Sequence, residues 1–275
     1  MTMKNYLINT GLAILGAGLI FSCATNPFTG EKNLNFVSNS QIFPAAFQQY
    51  NQFLKENRVI SGTADAARVA TVGSKIRSAA EKYLNSIGQT KYLEGYQWEY
   101  HLVDNKEANA WCMPGGKIVV YSGILPITKD EAGLATVMGH EVAHALANHG
   151  AQRMSAAQLQ QLGAVGVAVA AGGQSESTQQ IIGQAYGLGS DLGVMLPFSR
   201  KQESEADQIG LTMMAIAGYN PDRALEFWQR MSAKAGGSAP PEILSTHPSD
   251  ATRMANIKKL IPKAKATAKK FGKVY

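Results

Sequence analysis

Leu134, Val137, Met138, Val142 and Leu146 recur at three- and four-residue spacing, the period of a helix with one apolar face. Inside that stretch stand His140, Glu141 and His144, reading His-Glu-Val-Ala-His. Residues four apart on a helix are offset by about 40° and one turn, so both imidazoles point the same way and can hold one divalent cation. Glu141 lies about 100° from His140, close enough to the open side of such an ion to reach a water there, yet outside the row of ligands. Two histidines alone do not complete a metal site, so a third ligand must come from another element, and this constrains how the chain packs.

His149 is nine residues past His140 and five past His144, roughly 180° and 140° round an unbroken helix. It therefore reads as a C-terminal helix cation or a surface residue, not as a ligand. The third ligand is expected from Glu203-Ser-Glu205-Ala-Asp207, at the start of the next long helix. Glu203 and Asp207 are four apart and share a face, whereas Glu205 points about 160–200° away from both. On this reading Glu203 binds the ion and Asp207 orients a ligating histidine.

Helical spacing also predicts helices over 40–57, 63–87, 128–149, 199–217, 221–234 and 251–260, the third opened by a capping box of Thr128 and Glu131. Residues 97–103 and 117–121 read as two strands joined by a loop that contains Pro114, Gly115 and Gly116. The fold class expected is α+β and mostly helical, with a small β-sheet beside the His140–His144 helix. Gly115, Gly116 and the strand 117–121 offer open backbone on which a substrate can add as an extended strand, although a tight turn explains the glycines equally well. The glycine-rich stretch 159–200 is a lid candidate or a plain surface insertion. Cys112 reads as a small buried hydrophobe.

Lys4 precedes an apolar run from Gly11 to Phe21 and then Ser22-Cys23, the layout of a signal peptide over 1–22. Leu19, Ile20 and Ser22 before Cys23 match a bacterial lipobox, which makes Cys23 the lipidated first residue of the mature chain and 23–40 a tether. With Cys23 acylated, Cys112 has no intramolecular partner. The expected domain then runs over 41–260, followed by a basic tail at 261–275. The chain carries 26 Lys and Arg against 20 Asp and Glu, and its basic excess is confined to the residues after Asp250, where eight bases and no acid stand. Such a tail suits a phosphate-rich membrane surface or is a solvated end. No zinc-finger, RNP or helix-turn-helix pattern accompanies the charge, so nucleic acid is not expected as a partner.

Four segments together resemble a known family. They are Asn109-Ala-x-x-x-Pro114-Gly115-Gly116, Gly139-His-Glu-x-x-His144 continued to His149, Ser199-Arg-x-x-Glu203-x-Glu-Ala-Asp207-x-x-Gly210, and Ser245-Thr-His247-Pro248 followed by Arg253. The sequence is similar to the HtpX- and CAAX-prenyl-protease-type zinc metallopeptidases, family forty-eight of the metallopeptidases, and most of all to their small periplasmic lipoprotein members. The resemblance implies a gluzincin-type zincin domain with one Zn2+ per chain on His140, His144 and Glu203, and with Glu141 as catalytic base. It places His247 and Arg253 in a loop over the cleft, where either would donate to the oxyanion of the reaction. It also marks Asn109, Gly115 and Gly116 as candidate substrate contacts.

The function expected is that of a zinc metalloendopeptidase that trims misfolded or misassembled cell-envelope proteins. It is expected in the periplasm, lipid-anchored to the outer membrane of a Gram-negative bacterium, because Ala24 and not Asp follows Cys23. An alternative of a different class is a chaperone or assembly factor whose zinc site is self-inhibited, for which His247 as a fourth ligand is the discriminating feature. A third is a lipoprotein with a purely structural zinc.

Overall fold

The computed structural model describes residues 23–35, 37–156, 199–235, 243–244, 247 and 251–275. The signal peptide expected over 1–22, most of the lid candidate and the Cys23 side chain lie outside what is described. The chain divides into two compact units. In the first, Met1–Ser38 with Ala151–Ser190, the expected tether contains an antiparallel hairpin of β1 (Cys23–Thr25) and β2 (Lys32–Leu34). Its turn is held by Asn26, whose Oδ1 accepts from the Phe28 N–H at 2.9 Å.

The second unit, Asn39–Gly150 with Asp191–Tyr275, carries the principal elements among the described residues. They are α1 (Asn39–Glu56), β3 (Val59–Ile60), α2 (Ala64–Ser86), β4 (Glu99–Val103), β5 (Ala110–Met113), β6 (Lys117–Tyr121), the short α3 (Leu125–Thr128), α4 (Glu131–Leu146), α5 (Arg200–Ile216), α6 (Arg223–Ala235) and α7 (Ala251–Lys269). Helix α2 begins where sequence places it, with the Thr63 hydroxyl accepting from the Ala66 N–H. Among the described residues no helix is long and apolar enough to cross a membrane.

The sheet runs β3-β4-β6-β5, with β4 and β6 parallel and both outer pairs antiparallel. The two expected strands are therefore neighbours, but the segment between them is more than a loop: Ala110–Met113 forms β5, and β6 lies inside the sheet. Every residue of Lys117–Tyr121 is buried, as a strand covered on both faces must be. Ala46, Tyr50 and Phe53 of α1 pack with Val103, Met113, Val119 and Tyr121 on one face. Alternation turns Tyr100, Ile118 and Val120 to the other, where a Cβ on Gly73 of α2 would fall inside the Tyr100 ring, so α2 lies directly on the sheet.

Two expected boundaries move. The Thr128 hydroxyl donates back to the Leu125 carbonyl and closes α3, so the cap of α4 is instead Asp130, whose Oδ1 accepts from the Gly133 N–H at 2.9 Å. The division expected at residue 260 falls inside α7, which runs to Lys269 and buries Ile261, Ala264 and Ala268. Its lysines Lys258, Lys259, Lys263 and Lys269 thus lie on the exposed face of a packed helix, while Arg253 on the same helix is buried.

Candidate metal centre

Helix α4 is buried at every position from Gly133 to Leu146, so polar residues on it face only what the fold supplies. Against it lies α5, running the opposite way and held close at a pair of glycines. A Cβ on Gly210 would stand 2.9 Å from the His140 backbone nitrogen, and one on Gly139 would stand 3.1 Å from the Gly210 carbonyl oxygen. This crossing brings Asp207 level with His140 and Glu203 level with His144. Glu203 sits in the first turn of α5, which opens with a capping box of Ser199 and Gln202 and favours an anion there.

The donor atoms converge. His140 Nε2 is 3.1 Å from His144 Nε2, and Glu203 reaches both, with Oε2 3.3 Å from His140 Nε2 and Oε1 3.3 Å from His144 Nε2. His247 completes the group, its Nδ1 2.8 Å from Glu203 Oε1 and 3.2 Å from His140 Nε2. Four ligands at the ~2.0–2.1 Å of a zinc–nitrogen bond are spaced by about 3.3 Å along the edges of a tetrahedron, and the four donors here, all within 4.8 Å of one another, are close enough to share one small ion. Two buried oxygens support the fit. Glu203 Oε2 stands 3.0 Å from Arg253 Nη1 yet is in hydrogen-bond geometry with no group, and Glu141 Oε1 likewise accepts no hydrogen bond.

The charges of these groups are coupled through their contacts. Burial opposes charge on His140, but Glu203 and the Asp207 hydrogen bond outweigh it and push its pKa up to about 9. Glu203 is held well below the usual carboxylate range despite its burial, chiefly by the charge of His140 and by the close approach of His144 and His247. Burial drives His144 well down, toward the neutral ring that a metal requires. The same burial raises Glu141, against the pull of His247 and His140.

Behind the donors stands a second layer of contacts. Asp207 Oδ1 is 3.0 Å from His140 Nδ1. Arg253 grips Asp207 through Nε and Nη2 at 2.9 and 2.8 Å, donates from Nη1 to the His247 carbonyl at 3.2 Å, and lies 3.8 Å over the Trp228 ring. This corrects the expectation of an oxyanion donor: Arg253 is buried behind the ligands with its guanidinium committed to Asp207 and Glu203. His247 stands beside the donors, its Nε2 3.7 Å from Glu141 Oε1, and is one of the four residues close enough to share an ion.

His149 also departs from expectation. It is fully buried, because α4 ends at Leu146 and Asn148 adopts a left-handed φ of 55°, after which a new helical stretch starts at 149. The break places His149 Nδ1 2.9 Å from His144 Nδ1 and its Nε2 3.0 Å from Glu205 Oε2. Burial, only partly offset by Glu205, holds His149 below its ordinary pKa, so it is no helix cation. Glu205, which helical spacing sets aside, is its buried partner. The signal for the break was local: Asn is the residue that most readily takes a left-handed turn at a helix end.

Gly115 and Gly116 have φ of 85° and 86°, and added Cβ atoms would stand 2.5 Å from the Phe47 ring and 2.7 Å from the Trp98 ring. Their carbonyls accept from Gln97 and Glu99 N–H groups, so they serve a turn and are not open backbone. Asn109 pins the start of β5, its carbonyl accepting from Tyr121 N–H at 3.0 Å and its Oδ1 from Ala110 N–H at 2.8 Å. The outer edge of the sheet beside α4 is β5 itself. Cys112 on that strand is half-buried and free, with burial raising its thiol well above the ordinary range, so it supplies no thiolate.

The model of Peptidase family M48 matches residues 70–261, which span α2 to α7 and include every donor described above. The chain belongs to that family. Among its curated relatives, the M48 chain is 34% identical over 204 residues to the mitochondrial metalloendopeptidase OMA1 of Saccharomyces cerevisiae, covering 72% of this chain and 56% of that protein. It is 39% identical over 182 residues to the OMA1 of Arabidopsis thaliana, covering 65% and 34%. It is 31% identical over 189 residues to the beta-barrel assembly-enhancing protease of Escherichia coli, covering 64% and 37%. The chain thus spans between about a third and a little over half of these relatives' lengths. A mostly helical M48 domain with a small sheet and a His, His, Glu and His group is consistent with zinc as cofactor.

Proposed function

We propose that this M48 chain is a zinc endopeptidase in which His140, His144 and Glu203 hold the metal and Glu141 is the base. The observation that carries the reading is Glu141 Oε1, buried beside the donor group and without a hydrogen bond of its own. Zinc, when bound, supplies a Lewis acid that polarises a peptide carbonyl and acidifies water. Burial raises the proton affinity of the Glu141 carboxylate, which suits it to take a proton from the attacking water and return it to the leaving amine. Asp207 orients His140, and Arg253 holds Asp207 and Glu203 in register. A substrate segment adds as an antiparallel or parallel strand along the outer edge of β5, which runs beside α4.

The substrates proposed are misfolded or misassembled envelope proteins, a reading supported by similarity to the beta-barrel assembly-enhancing protease. OMA1 relatives are named as mitochondrial, so the periplasm and an outer-membrane lipid at Cys23 rest on the leader sequence alone. The test is cleavage of casein by purified protein, with and without a chelator. Wild type cuts, chelation stops it and zinc restores it. Glu141→Gln retains zinc and fold but loses about 10²–10⁴-fold in rate. Retained turnover in that variant removes Glu141 from its role.

His247 favours a second reading, a closed site. Its Nδ1 already occupies the position of a fourth donor, so water and substrate gain access only when it withdraws. His247→Ala then cleaves casein faster than wild type, whereas a slower variant makes His247 an oxyanion donor instead.

A further inference from the structure

The two histidines of the metal group are backed differently. His140 leans directly on a carboxylate, Asp207, while His144 leans on another imidazole, which leans in turn on Glu205. The direction of this second chain follows from proton counting. His144 presents Nε2 to the donor group, so its neutral ring carries the proton on Nδ1 and donates it to His149 Nδ1. A neutral His149 that accepts on Nδ1 carries its own proton on Nε2 and donates it to Glu205.

We infer that His149 and Glu205 are positioning residues, a two-step relay that fixes the tautomer and ring plane of His144 for the metal. The inference rests on the reading of His140, His144 and Glu203 as zinc ligands. The fold is built to place this pair. His149 has no exposed surface and Glu205 is 7% exposed, and burying such groups is costly unless their hydrogen bonds are met. The bend that returns His149 to His144 is held from outside: the hydroxyls of Tyr92 and Tyr96 donate to the Leu146 and Ala145 carbonyls at 2.6 and 3.1 Å, capping the end of α4. Outer partners of metal-bound histidines raise affinity by about 10–100-fold, the size of effect expected here.

Zinc affinity of the full chain, measured by competition with a fluorescent chelator, tests the relay without reference to proteolysis. His149→Phe, which keeps a ring but cannot accept from His144, binds zinc about 10–100-fold more weakly than wild type. His149→Gln, whose amide oxygen can accept that proton, recovers part of the loss. Because the two residues act in series, adding Glu205→Gln to His149→Phe weakens binding no further. Wild type that fails to bind zinc overturns the metal reading and the relay together. Wild type that binds, with His149→Phe equal to it, overturns the relay alone. If His149→Phe does not fold, nitrogen-15 spectra of the wild-type rings decide: protons on His144 Nδ1 and His149 Nε2 support the relay, and the opposite tautomers overturn it.

Discussion

Gly210 and His140 are in backbone contact where α4 and α5 cross: a Cβ on Gly210 would stand 2.9 Å from the His140 nitrogen and 3.0 Å from the Gly139 carbonyl. The closeness of the two helices sets how far Glu203 reaches toward the two histidines, so helix packing and ligand spacing are one variable.

Gly210→Ala therefore tests the crossing. Alanine favours an isolated helix over glycine by about 1 kcal/mol, but here the methyl must push backbone aside, at a cost of about 1–3 kcal/mol. The expected result in urea unfolding is net destabilisation, together with weaker zinc binding. Gly139→Ala, whose Cβ would stand 3.1 Å from the Gly210 carbonyl oxygen and 3.6 Å from its next neighbours, is the milder of the two.

Arg253 separates a buried support from a group at the cleft mouth. Arg253→Met leaves Asp207 and Glu203 without their shared cation, and removing one partner of a buried ion pair costs about 3–5 kcal/mol. Denaturant unfolding of the zinc-free protein should show that loss. A change within about 0.5 kcal/mol, the size seen at ordinary surface positions, contradicts the placement behind the ligands.

Asp130 carries a pH signature on the start of α4. Burial alone would raise its pKa, but the Gly133 N–H and Arg223 outweigh it and lower it below the ordinary aspartate value. A carboxylate depressed in the folded state stabilises above the unfolded pKa of about 3.9, and that contribution is lost as pH falls through the folded value. At neutral pH Asp130→Ala should cost about 1 kcal/mol, the usual worth of an N-cap. Asp130→Asn keeps a capping oxygen, and any advantage of wild type over it should fade as thermal unfolding is repeated below pH 4. An advantage that grows on acidification would contradict the sign.

Helix period and side-chain chemistry determined a good part of this molecule by themselves. The four-residue spacings of His140 with His144 and of Glu203 with Asp207 put each pair on one face, because the rotation per residue is a local property of the backbone. Caps such as Thr63 and the alternation in β4 are local for the same reason. Tertiary structure decided the rest. Spacing on an unbroken helix turned His149 away, and the left-handed Asn148 turned it back onto His144. Glu205, Arg253 and His247 acquired their places from elements distant in the chain, and β5 became an edge only when β6 paired with β4. A sequence specifies which residues share a face; which faces meet depends on where backbones approach closely enough, as at Gly139 and Gly210, and on where a helix ends.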